Sequence, residues 1–122
     1  MLFEAVDVVR VRGNTDGILS EERITGQLLF VPHPDGTASI MLPISYLIEE
    51  AKEARRGGLI ETPPLGRADM HKRRILSLGK REVQRVWGLQ IGEEIVFARK
   101  GWGKTSRQRL RRIEEAIGGE TS

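Results

Sequence analysis

Apolar and polar residues alternate at the start of the chain. "LFEAVDVVRVR" (2–12) is rich in Val and sets Val9 and Val11 on one face and Arg10 and Arg12 on the other, the two-residue period of a half-buried strand. "GNTDG" (13–17) has the composition of a turn. "ITGQLLFVP", "HPDG" and "TASIMLP" predict a β-hairpin over residues 24–42, reversed at the Pro-Asp-Gly turn. The period then changes. Pro43 suits a first helical position, Ile44, Leu47, Ile48 and Ala51 follow at helical spacing, and Arg55, Arg56 and Gly57 close a helix predicted over 44–56.

Periodicity fades in "GGLIETPPLGRADMHKRR" (57–74), where glycines and the Pro63-Pro64 pair predict a linker or long loop. Beyond it, "ILSL" predicts a short strand. "KREVQRVW" (80–87) predicts a helix with Val83, Val86 and Trp87 on one face, ended by Gly88. "EEIVFAR" (93–99) has consecutive Ile, Val and Phe, which favours a buried strand. A final helix is predicted over 106–117, capped by Thr105 or Ser106 and ended by Gly118-Gly119, with Leu110, Ile113, Ala116 and Ile117 as a narrow apolar stripe.

These elements predict a small α+β protein: an N-terminal antiparallel β unit with one helix, followed by a basic strand-helix-strand-helix unit. The expected organisation is an acidic β-rich unit over 1–58, a linker or long loop over 59–74 and a basic α/β unit over 75–122, with one continuous domain as the alternative. At 122 residues the chain has room for one ordinary domain or two very small ones.

Composition removes several classes of chemistry. There is no cysteine, so disulfides, thiolate metal sites and thiol catalysis are excluded. No apolar run approaches the roughly 20 residues that cross a bilayer, and Glu4 and Asp7 sit where a signal peptide needs bases, so a cytoplasmic protein is expected. Arg outnumbers Lys fifteen to five, as in a thermophile or a GC-rich genome. His33 and His71 have no metal-ligand spacing and read as surface residues; no metal or cofactor is expected.

The net charge of +3 hides a division. Residues 1–66 carry net −4 and residues 67–122 net +7. Such a pattern suits one part that handles protein contacts and another that handles a polyanion, or two halves that attract each other. Ala98 to Thr105 fits a loose phosphate-loop pattern between a strand and a helix, but only seventeen residues follow Thr105, too few to build the sheet that would supply a Mg²⁺ carboxylate.

In the predicted last helix the arginines come early and Glu114 and Glu115 late. That order opposes the helix dipole and points to another role for the charges, with phosphate the commonest. Arg73, Arg74, Lys80, Arg81, Arg85, Lys100, Lys104, Arg107 and Arg111 are therefore the candidate nucleic-acid contacts, and Trp102 either covers the core or stacks on a base.

"RILSLGKREVQRVWGLQIGEEIVF" (74–97) resembles the AbrB/SpoVT-like swapped-hairpin DNA-binding family: a strand ending in Leu78, a helix with Glu82-Val83, then Gly88-Leu89, Gly92-Glu93 and a strand. Gly79 and Ile91 stand where that family usually has Pro. The resemblance implies an intertwined dimer that grips DNA near the strand-to-helix junction, here through Arg73, Arg74, Lys80 and Arg81. Extended to Gly119, the stretch also looks like a Cro-type helix-turn-helix with "GEEIVFARKG" as recognition helix, although the strand reading of Ile95 to Phe97 is preferred.

The expected function is nucleic-acid binding, DNA or RNA, by a dimeric transcriptional regulator or antitoxin-like factor, with a protein partner on the acidic half. A second reading is a structural or assembly module, phage or accessory, docking on an acidic protein. A third is a small enzyme or nucleotide-binding protein that uses the 98–105 loop.

Overall fold

The computed structural model describes residues 1–13, 17, 19–44, 73–101 and 104–115, with backbone alone at Arg12, Gly13, Leu19, Gly101 and Lys104. Seven strands and one helix follow in the order β1 (Leu2–Gly13), β2 (Leu19–Ile24), β3 (Gln27–Pro32), β4 (Ala38–Met41), β5 (Arg74–Leu78), α1 (Lys80–Trp87), β6 (Glu94–Gly101) and β7 (Lys104–Ile113). The strands form one antiparallel sheet, ordered β5-β4-β3-β1-β7-β6 with β2 also on β1, curled into a half-barrel. Strands β4, β3 and β1 of the acidic half lie between β5 on one side and β7 and β6 on the other, all three from the basic half.

Strand β1 is long because it serves three neighbours. Its start pairs with β3, its far half with β2, and Leu2 to Asp7 with β7. Phe3 and Val8 are both fully buried although five residues apart, a spacing that points to opposite faces of a regular strand. The register shift between Ala5 and Asp7 resolves this: one extra residue reverses the alternation and brings both side chains to the core. The same reversal turns Arg10 inward, where its guanidinium meets the directly opposed Glu22 at 2.8 Å.

The β3–β4 hairpin lies where the Pro-Asp-Gly turn places it. Gly36, at φ +89°, supplies the left-handed residue that the turn requires. The core comprises Phe3, Leu28, Phe30, Ile40, Leu78, Phe97 and Leu110 among others, and Val83, Val86 and Leu89 from α1 and its exit close it. The Glu82 carboxylate accepts a hydrogen bond from the Gly79 amide at 3.1 Å and so satisfies one free donor at the helix start. Trp87 is 56% exposed, yet its ring stands edge-on to Phe30 at 5.1 Å.

The helix spans the gap between the two sheet edges, β5 and β6, and Arg99 ties all three together. Its Nη1 and Nη2 donate to the two Glu82 carboxylate oxygens at 2.8 and 2.9 Å, and Nη2 also donates to the Ser77 carbonyl of β5 at 2.7 Å. Arg85 and Arg99 both lie 5.5 Å from the centre of the Phe97 ring.

The expectation of an α+β protein is corrected: the fold is mostly β, with one helix among the described residues. The C-terminal segment expected as a helix over 106–117 is strand β7 as far as Ile113. Its true period is two. Thr105, Arg107 and Arg109 are exposed, whereas Gln108 and Leu110 are buried. With Leu110 the one fully buried apolar residue of the strand, the alternation is masked, and the helical spacing of Leu110, Ile113, Ala116 and Ile117 took its place. The arginines that seemed to oppose a helix dipole have no helix to oppose. Residues 94–101 form a strand, which removes the recognition helix of the helix-turn-helix reading. Beyond Ile44 the 44–56 helix lies outside the described residues, as does the expected linker up to residue 72.

Replacing Glu82 by Gln leaves the Arg99 guanidinium half-partnered and is expected to lower stability by about 2 kcal/mol, read as a shift of the urea midpoint. Burial pushes the Glu82 carboxyl upward, but the hydrogen bonds from Arg99 and Gly79 and the charges of Arg99 and Arg85 outweigh it and hold the group below its ordinary 4.5. Its contribution is therefore complete above pH 4.5 and lost as pH falls through the lower folded value. Comparing acid unfolding of wild type and Glu82→Gln checks the sign: the variant lacks that part of the loss.

Candidate nucleic-acid interface

Strands β1 and β7 remain paired only as far as Asp7 and Arg109. Beyond that point the chain forms two separate two-stranded ribbons, β1–β2 and β6–β7. Gln108, 3% exposed, bridges the divergence: its Oε1 accepts from the Val9 amide at 3.0 Å and its Nε2 donates to the Val9 carbonyl at 2.8 Å. The side-chain amide continues the ladder for one more residue where the backbones part. Without it the half-buried Val9 peptide would lose both partners.

A cleft of about 450 Å³ opens beyond this bridge, lined by Arg10, Ile75, Ser77, Arg99, Lys100 and Gln108 among others. Most of its polar groups are committed elsewhere. Arg10 is paired with Glu22, Arg99 holds Glu82 and Ser77, and Gln108 also donates to the Ser106 hydroxyl at 3.0 Å. The cleft is the polar end of the core, where inward residues change from apolar to hydrogen-bonding.

The outer face of the β6–β7 ribbon is different. Cross-strand pairing places Lys100 beside Thr105, Ala98 beside Arg107, Val96 beside Arg109 and Glu94 beside Arg111. Directly opposed residues of an antiparallel pair share a face, so these form one row. At its inner end Glu94 compensates two arginines, Arg111 at 2.9 Å and Arg109 at 3.4 Å, and Glu4 lies 3.8 Å from Arg111. Toward the tip, Arg107 and Lys100 are exposed and form no ion pair with a described residue. On the β1–β2 ribbon, by contrast, Arg10 faces Glu22 and Arg23 meets Asp7 at 3.1 Å.

The nine candidate contacts separate accordingly. Arg73 is 9% exposed and its Nε donates to the Leu42 carbonyl at 2.8 Å, so it anchors the start of β5 from inside. Lys80 and Arg81 are exposed at the β5–α1 junction, and Arg74 is exposed at the other end of β5. Arg85 lies over Phe97, with Nη2 at 3.4 Å from the Val96 carbonyl. Lys100 and Arg107 share the ribbon face, Arg111 sits at its compensated end, and the side chain of Lys104 is outside the described residues. Two free basic clusters result, one at the junction and one on the ribbon.

The loop that resembled a phosphate loop joins two antiparallel strands, so it has no helix start to offer an anion. Sequence reasoning missed Arg99 and Gln108. A polar residue at an inward position of a strand is a signal for such a bridge, but the strand itself had first to be recognised. Among the described residues no three acids or histidines are placed to hold a metal ion, and no helix is long and apolar enough to cross a membrane.

Compared with known proteins, the chain matches no family model, no curated protein and no solved structure.

Proposed function

We propose that the chain is a nucleic-acid-binding protein, a dimeric DNA-binding regulator or antitoxin-like factor, whose contact surface is the outer face of the β6–β7 ribbon. The observation that carries this reading is the pair Lys100 and Arg107: exposed, on one face and without a carboxylate partner among the described residues, on a ribbon that extends past its last pairing with β1. A two-stranded ribbon fits the major groove of duplex DNA, which is about 12 Å wide. Its outward cations would meet the phosphates that flank the groove.

The junction cluster supports the same reading from a second direction. The AbrB/SpoVT-like resemblance puts DNA contacts beside the strand-to-helix junction, where Lys80 and Arg81 are exposed, with Arg74 exposed at the start of the same strand. Arg73 departs from that role because its side chain faces inward to Leu42.

Titration against a labelled random duplex at two salt concentrations tests the proposal. Affinity is expected to fall steeply with salt, and Lys100→Ala with Arg107→Ala is expected to reduce the salt slope by about two and to weaken all sequences alike. Arg111→Ala, whose charge is already shared with Glu94, is expected to have a smaller effect. Absence of binding at low salt refutes the reading, and an unchanged double variant moves the contact to Arg74, Lys80 and Arg81. Sedimentation of the free protein reports the dimer.

A further inference from the structure

A second cavity, of about 380 Å³, lies on the other side of β5 and is lined by His33, Thr37, Ser39, Arg74, Ser77 and Gly79 among others. Four elements converge there: the β3–β4 turn, β4, β5 and the start of α1. Ser39 and Ser77 are directly paired across β4 and β5, so their side chains share a face. The Ser39 hydroxyl, in a residue 2% exposed, lies 2.8 Å from His33 Nε2. The stem of Lys80 crosses the β3–β4 turn, with Cγ, Cδ and Cε at 3.5 to 3.7 Å from where a Cβ on Gly36 would stand.

Two cations stand at this cavity, Arg74 in its lining and Lys80 on the adjoining turn. Arg74 and Lys80 are exposed and form no ion pair with a described residue. The neighbouring carboxylate, Asp35, is turned into its own loop: Oδ1 accepts from the Thr37 hydroxyl at 2.5 Å and the Thr37 amide at 3.0 Å. Those two bonds hold the Asp35 carboxyl below its usual range, with smaller help from His33 and Lys80.

We propose that this cavity binds a phosphate dianion, as inorganic phosphate or as a terminal phosphate monoester. The donor set matches that ligand. The Arg74 guanidinium supplies a planar fork for two phosphate oxygens, and Lys80 is a mobile point charge that reaches in from beside the β3–β4 turn. The Ser77 hydroxyl is a short-range donor that selects an oxyanion over chloride, and the Ser39 hydroxyl is a second one in the tautomer whose His33 Nε2–H donates to it. A phosphodiester inside a polymer has a single charge and two substituents, and it suits an open face such as the ribbon better than a recess. The site is separate from the ribbon and does not depend on the ribbon's role.

The test uses the full chain, labelled for amide NMR and titrated with inorganic phosphate. A second arm uses a short oligonucleotide carrying a 5′-phosphate and the same oligonucleotide carrying a 5′-hydroxyl. Saturable shifts are expected at the amides of Thr37, Ser39, Ser77 and Gly79, weakened about tenfold by Arg74→Ala and by Lys80→Ala, both surface changes that leave the core intact. Lys100→Ala with Arg107→Ala should leave phosphate affinity unchanged. A response to inorganic phosphate alone identifies free phosphate as the ligand. A response at the same amides to the 5′-phosphate but not the 5′-hydroxyl identifies a terminal monoester. The proposal is overturned if neither probe gives a saturable shift at those amides, or if the shifts persist at equal affinity in the Arg74→Ala, Lys80→Ala double variant.

Discussion

A half-barrel has two free edges, and here they are joined through one side chain. Arg99, on edge strand β6, donates to the carbonyl of Ser77 on edge strand β5 and to both carboxylate oxygens of Glu82 on the helix between them. Unpaired strand edges expose a row of backbone groups open to other chains. Sequestering the Ser77 carbonyl and covering the gap with α1 removes part of that row. The Arg99–Glu82 pair is only partly exposed, with side chains at 27% and 28%, so its hydrogen bonds act in a lower dielectric than at a free surface. Beneath this clamp the helix contributes Val83 and Val86 to the core.

From that fixed base the interior changes character along β7, β6 and β1. On β7 the inward positions run from Leu110 to Gln108, on β6 from Phe97 to Arg99, and on β1 from Val8 to Arg10. Each change falls where β1 and β7 part. Apolar residues fill the barrel while it is narrow enough to exclude water. Hydrogen-bonding residues take over where it widens, because the diverging backbones need partners that a hydrocarbon cannot give. The bulge between Ala5 and Asp7 makes this possible on β1, since without the reversal Arg10 and the Glu22 opposed to it would face outward.

The parts of the fold legible in the sequence were those with strong local punctuation. The 24–42 hairpin carried a Pro-Asp-Gly turn, and the β5–α1–β6 segment carried apolar runs separated by Gly79 and Gly88. Strand β7 had neither. Its identity rests on pairing with β6 and with β1, the latter more than ninety positions earlier in the chain, and its inward positions are filled by Ser106 and Gln108, which give no hydrophobic period. The site was legible to a similar degree: a basic C-terminal half could be read directly, but which of its cations remain free could not, because compensation comes from Glu4 and Glu94 through sheet pairing. Arg73 shows the limit well, since nothing in "HKRR" distinguishes the arginine that turns inward to Leu42 from its exposed neighbour.

The division into an acidic and a basic half acquires a physical meaning in this sheet. Strand β1 from the acidic half lies against β7 from the basic half, and Glu4 faces Arg111 across that seam. Part of the opposite charge is therefore neutralised inside the fold, which favours the seam over alternative strand pairings that would set like charges opposite each other. The surplus collects where β1 no longer reaches. Past Asp7 the β6–β7 ribbon has no acidic neighbour strand, and Lys100 and Arg107 stay uncompensated for a geometric reason. Divergence of the two ribbons thus determines both the end of the apolar core and the start of the cationic face.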